Sequence, residues 1–155
     1  MQILEVGIMA RGYPLVYTSY FPSNQNKPDI ILKTAILTGI INFVKGMFSI
    51  NSIEYIESSK YIVVFQKGSI IGKGSINPET IFAYAIVSNK QKNRLEKLVL
   101  KRIQPDLTKV LKYFQLMYQG LELSSVYKFR NFKYKLDKYF LKGSKTPEQR
   151  FKALF

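Results

Sequence analysis

Ile81-Phe82-Ala83-Tyr84-Ala85-Ile86-Val87 is an unbroken apolar run bounded by Thr80 and Ser88. Read as a strand, it has no polar alternate position, so both of its faces must be covered. Tyr61-Ile62-Val63-Val64-Phe65 has the same character. Ser52-Ile53-Glu54-Tyr55-Ile56-Glu57 largely alternates instead, as a strand with one open face does. Together these runs predict a mainly antiparallel sheet with helices on both sides. The alternating strand belongs near an edge and the continuous ones near the middle.

The chain before these runs supplies two more strands and a helix. Ile3-Leu4-Glu5-Val6-Gly7-Ile8-Met9 and Leu15-Val16-Tyr17-Thr18-Ser19-Tyr20-Phe21 flank Ala10-Arg11-Gly12-Tyr13-Pro14, which has the Gly and Pro of a short hairpin connection. A polar loop follows, and Pro28-Asp29 is a plausible helix start. Over residues 29–48, Leu32, Ile36, Ile40, Phe43 and Met47 form one apolar stripe. Ile30, Leu37, Ile41, Val44 and Phe48 form a second beside it. That arc is wider than packing on one sheet face requires, so another element or a partner must cover the rest.

After the last strand the period becomes helical. Leu95, Val99, Ile103, Leu107, Val110 or Leu111, Phe114 and Tyr118 stay in phase across Pro105. This predicts one kinked helix, or two nearly collinear ones, from residue 91 to Gly120. Ser124 or Ser125 can cap a further helix carrying Val126, Phe129, Leu136 and Phe140, which Gly143 ends. Thr146-Pro147-Glu148 starts a short terminal helix. The order is therefore β-β-α-β-β-β-α-α, without an internal repeat.

Composition narrows the chemistry. The chain has 155 residues, 46% of them hydrophobic, which suits one folded domain. It contains neither Cys nor His. That inventory excludes disulfides, thiolate nucleophiles, the usual zinc sites and every Ser-His or Cys-His relay. The absence of Cys fits the cytosol better than a small secreted protein. No leader peptide is visible, since Glu5 interrupts the first apolar stretch. The longest uncharged apolar stretch of the first helix, 34–44, falls well short of the about 20 residues a membrane span needs.

Charge is lopsided. Residues 90–155 hold 17 of the 24 basic side chains but only five of the ten acidic ones, out of a formal net charge of +14. Such asymmetry suits an anionic partner: nucleic acid, a phospholipid surface or an acidic protein. It equally suits solvated helix faces in a Lys-rich chain. The densest segment, 127–140, interleaves Lys128, Arg130, Lys133, Lys135 and Lys138 with aromatics. These five are the candidate anionic-surface residues. The segment reads as a base-stacking and phosphate-binding surface, as a basic amphipathic helix at a membrane, or as a core helix with solvated lysines.

The remaining motifs carry little chemistry. Gly68-Ser69-Ile70-Ile71-Gly72-Lys73-Gly74 lacks both the spacing of a P-loop and its Ser/Thr after Lys, so a flexible connection is expected there. The carboxylates are scattered, and Glu54 and Glu57 fall on opposite faces of their strand. No catalytic residue, metal ligand or cofactor is expected.

The order of elements resembles that of the longin family, within the longin/roadblock group, over nearly the whole chain. The resemblance implies an α+β fold, a five-stranded antiparallel sheet with one helix on one face and two or more C-terminal helices on the other. Residues 1–120 would form the longin-like core, with 121–155 a basic helical extension packed on the same domain. It also implies a non-catalytic protein-interaction module in small-GTPase regulation or membrane traffic. The candidate partner-binding residues are Ile36, Ile40, Phe43 and Met47 of the first helix and Tyr55 of the nearby edge strand. The expected partner is a protein, such as a small GTPase or a second copy in a dimer. Arg11, on the predicted tight turn, is the one Arg placed to reach a GTPase site. The expected location is cytoplasmic and peripheral to a membrane where the basic half engages lipid. The alternative is a basic nucleic-acid-binding protein using the C-terminal helices.

Overall fold

Strand β1 (Ile3–Ala10) is buried along its whole length, so both its neighbours and both its faces must be supplied by the rest of the chain. The computed structural model describes residues 2–10, 13–21, 53–57, 61–88, 99–145, 147–152 and 154. On one side β1 pairs with β2 (Tyr13–Ser19), and on the other with β5 (Glu79–Ser88). Strand β4 (Tyr61–Ile70) lies beside β5, and β3 (Ile53–Glu57) beside β4. All pairs are antiparallel, and the open sheet runs β2-β1-β5-β4-β3. The alternating run thus sits at an edge and the continuous ones inside, as expected.

Period-two alternation divides the side chains between two apolar layers. Val6, Ile8, Val64, Ile81, Ala83, Ala85 and Val87 face the first layer. Leu4, Met9, Phe65, Phe82, Tyr84 and Ile86 face the second. The register of β1 against β5 shifts between Ile3 and Glu5. This bulge lets Ile3 join the first layer while Leu4 joins the second.

The C-terminal helices cover the first layer. A wide π-helical turn (Val99–Ile103) leads into α1 (Gln104–Tyr118), with Pro105 in the first turn of α1. Proline has no N–H to offer the Lys101 carbonyl, and its ring crowds that carbonyl; a widened turn relieves both. The backbone stays helical through Ile103, so the two segments join at Pro105 by a change of pitch. Leu107, Val110, Leu111, Phe114 and Tyr118 are buried, as their phase predicts. The start expected near residue 91 lies outside the described residues.

Next comes a 3₁₀ stretch (Val126–Phe132), then α2 (Lys133–Ser144) and the short α3 (Pro147–Lys152). The residues of this region that reach the core are Phe129, Phe132, Leu136 and Phe140. Their spacing of three, then four, follows the pitch as it relaxes from 3.0 to about 3.6 residues per turn. Phe114 and Tyr118 of α1 meet Phe129 and Phe132 at ring-centroid distances of 4.8–6.0 Å. Most of these contacts are edge-on, the favourable arrangement for aromatic pairs. Helix α1 packs on β4 and β5, and α2 on β1 and β2. The residues of the second layer are buried as well.

Several expectations need correction. Gly68 lies within β4, not in a loop: a Cβ there would come within 2.8 Å of Leu111 Cδ2, so its absence lets α1 approach the sheet. The connection is instead 71–78, with Gly74 at φ 71°. Gly143 does not end α2 but lies inside it, where a Cβ would press on the Ile3 side chain at 2.6 Å. Neither serine caps the 3₁₀ stretch: Ser125 stands at the cap position without a side-chain bond, and Ser124 Oγ donates to Glu122 instead. Val126 is exposed rather than part of the buried apolar stripe. The predicted helix over 29–48 lies outside the described residues.

Replacing Phe132 by Ala should destabilise the fold by about 3–5 kcal/mol, the usual cost of emptying a packed aromatic site. Val126→Ala, on the same stretch but exposed, should change stability by about 0.5 kcal/mol or less. Urea unfolding of the two variants checks the pair.

Candidate functional site

Helix α2 turns Leu136 and Phe140 to the core, which leaves two flanks at helical spacing. Lys135, Lys138 and Tyr139 lie on the flank toward α1; Lys133 and Asp137 lie on the flank toward β2. On α1, Lys109 and Tyr113 answer the first flank from across the helix pair.

The meeting point is two tyrosines. The rings of Tyr113 and Tyr139 are stacked, with centroids 6.3 Å apart and planes 26° from parallel. Their hydroxyls share a hydrogen bond. Lys135 Nζ sits 4.4 Å from the Tyr113 centroid, and Lys109 and Lys138 each sit 5.9 Å from that of Tyr139. The electron-rich ring faces attract and hold these ammonium groups. The Tyr113 hydroxyl is shifted below its ordinary range, first by the hydrogen bond from Tyr139 and then by Lys135. Tyr139 moves the opposite way, because the bond to Tyr113 holds its proton.

The structure brings two of the five predicted cations together and turns a third away. Lys135 and Lys138 converge with Lys109, which sequence reasoning overlooked. Lys133 turns the other way, its Nζ 5.8 Å from the Tyr17 ring of β2. Lys128 and Arg130 are exposed on either side of the buried Phe129, on the 3₁₀ stretch that precedes α2. A signal for Lys109 was present, since it lies four residues before Tyr113 and thus on the same helix face.

The other polar constellations hold the fold together. Tyr20 and Thr18 both donate to Asp137 Oδ1, which fastens α2 to the end of β2. Burial, then the Asp137 carboxylate, raises the Tyr20 hydroxyl well above its ordinary value. In the second layer Tyr84 Oη donates to Glu5 Oε1 at 2.8 Å. Gly7 makes room for it: a Cβ there would lie 2.8 Å from the Tyr84 ring and from the Val16 carbonyl oxygen. Burial first, and Glu5 second, push the Tyr84 hydroxyl far up. A Glu inside an apolar strand was the sequence signal for such a pair, since a buried carboxylate needs hydrogen-bonding partners.

Of the predicted partner-binding residues, Tyr55 lies on edge strand β3, in register with Val64 of β4. Ile36, Ile40, Phe43 and Met47, and Arg11 as well, lie outside the described residues. Among the described residues no group of three metal-ligating side chains comes together, and no helix is long and apolar enough to cross a membrane. No family of proteins, curated protein or solved structure matches the chain.

The raised tyrosines make stability depend on pH in a definite direction. The folded chain keeps its Tyr84 proton above pH 10.0, the ordinary tyrosine value, whereas the unfolded chain loses it. The stabilisation is complete below that pH and is lost as pH rises through it. Tyr84→Phe should flatten this alkaline decline, measured as denaturation midpoints across the alkaline range.

Proposed function

We propose that this protein is a non-catalytic, longin-like interaction module that binds a protein partner in small-GTPase regulation or membrane traffic. The observation that carries the reading is the position of β3. Among the described residues it pairs with β4 alone, so its outer edge offers backbone donors and acceptors to an added strand. The α+β build supports the same reading: an antiparallel sheet whose first face is covered by helices from the C-terminal part of the chain. In this proposal the sheet is the five-stranded longin sheet. The predicted helix over 29–48 covers the second layer with one stripe and turns its other stripe, near Tyr55, to the partner. A dimer would use the same face.

A chain without His or Cys cannot build a Ser-His or Cys-His relay. The module is thus proposed to act on a GTPase by favouring one of its conformations.

Binding to a panel of purified small GTPases, each loaded with GDP or a GTP analogue, tests this. Binding in one nucleotide state, weakened about tenfold or more by Tyr55→Asp, is the expected result. Indifference to every GTPase in both states would remove the GTPase assignment. The protein alone, incubated with GTP or ATP, should release no phosphate above background.

A further inference from the structure

We propose that the outer face of the α1–α2 pair is a docking surface for anionic lipid bilayers, independent of the strand edge that serves the protein partner. Three ammonium groups from two helices, those of Lys109, Lys135 and Lys138, are gathered around the Tyr113–Tyr139 pair. Asp137 is kept away from them, on the opposite flank of α2, engaged by Tyr20 and Thr18. Asp106 stands beside Tyr139 and Lys109, so one carboxyl borders the three cations; burial raises it above the ordinary value.

Charge alone would suit any polyanion; the apolar neighbours select the bilayer. Leu116 and Met117 follow Tyr113 by three and four residues, so they continue the same face of α1 by one turn. Leu116 is 71% exposed and Met117 44%. Tyr134, 56% exposed, stands beside Lys135 on α2. Cations for lipid headgroups, tyrosines for the interface and aliphatic side chains for the acyl boundary are the composition of an interfacial helix surface.

Nucleic acid fits less well. The two tyrosines are stacked on each other, joined through their hydroxyls and attended by lysines, so they anchor ammonium groups and are not free platforms for bases. The cations are all Lys, compact charges suited to a diffuse anionic surface. Arg, whose planar fork reads guanine, is absent from the cluster.

Vesicle co-sedimentation of the full chain provides the test. Vesicles of phosphatidylcholine doped with phosphatidylserine should bind it, and plain phosphatidylcholine vesicles should not. K109E/K135E/K138E should weaken that binding about 100-fold or more, from the loss of three cation–surface attractions. L116S/M117S keeps every charge and should still lose most of the binding. Both variants alter exposed or half-buried positions, and their circular dichroism melts should match the parent's. Failure of the parent to bind doped vesicles would overturn the proposal. So would full binding by L116S/M117S, or a preference for a single-stranded oligonucleotide that L116S/M117S retains. No GTPase is present in this assay, so its failure leaves the strand-edge reading untouched, and the reverse holds as well.

Discussion

The structure depends on the burial of β1 and β5 on both faces. Every residue of β1 is enclosed, and on β5 only the first two residues are partly open. A strand in that position admits polar side chains only if they are satisfied from within. Glu5 meets this condition through the Tyr84 hydroxyl, and Tyr84 meets it by lying across a glycine. The same constraint explains the small side chains of β5. Ala83 and Ala85 lie in the layer that the C-terminal helices cover, and larger residues there would hold α1 off the sheet.

The C-terminal half serves two demands with one stretch of sequence. Phe129, Phe132, Leu136 and Phe140 enter the core, where Phe114 and Tyr118 of α1 meet the first two. The residues between them are Lys, Arg, Tyr, Asn and one Asp, and most remain outside. The core reading and the surface reading of this segment are therefore both correct, for different residues. Net charge gathers here because the inner positions are too apolar to hold it and the strands have few outward positions to offer.

Much of the sheet was legible because alternation reports burial directly. A run such as residues 81–87, with no polar alternate position, can only be interior, and residues 53–57, with two carboxylates, suit an edge. Glycine was the least legible residue. Gly68 and Gly74 lie six positions apart and look alike in the sequence; one leaves room for Leu111 and the other turns the chain at positive φ. Only the distance to a helix more than 40 residues away separates these roles. The grouping of cations was half legible, because Lys135 and Lys138 follow from α-helical spacing. Lys128 and Arg130 lie before α2 begins, and nothing local marks where 3₁₀ pitch gives way to α pitch. That boundary is set by Phe129 and Phe132 fitting against Phe114, a contact between segments.

The junction at Phe132/Lys133 bears on how this chain tolerates change in length. The direction in which α2 faces is set by counting residues from Phe129, since each further residue turns the helix by about 100°. Deleting one residue between Phe129 and Lys133 would put Asp137 and Leu141 where Leu136 and Phe140 now sit; inserting one would put Lys135 and Tyr139 there. Either event would bury a charge and scatter the lysines at once. Outward positions such as Lys128 can therefore change identity freely, whereas the segment's length is held fixed. Homologous chains should vary in residue type here far more than in residue number.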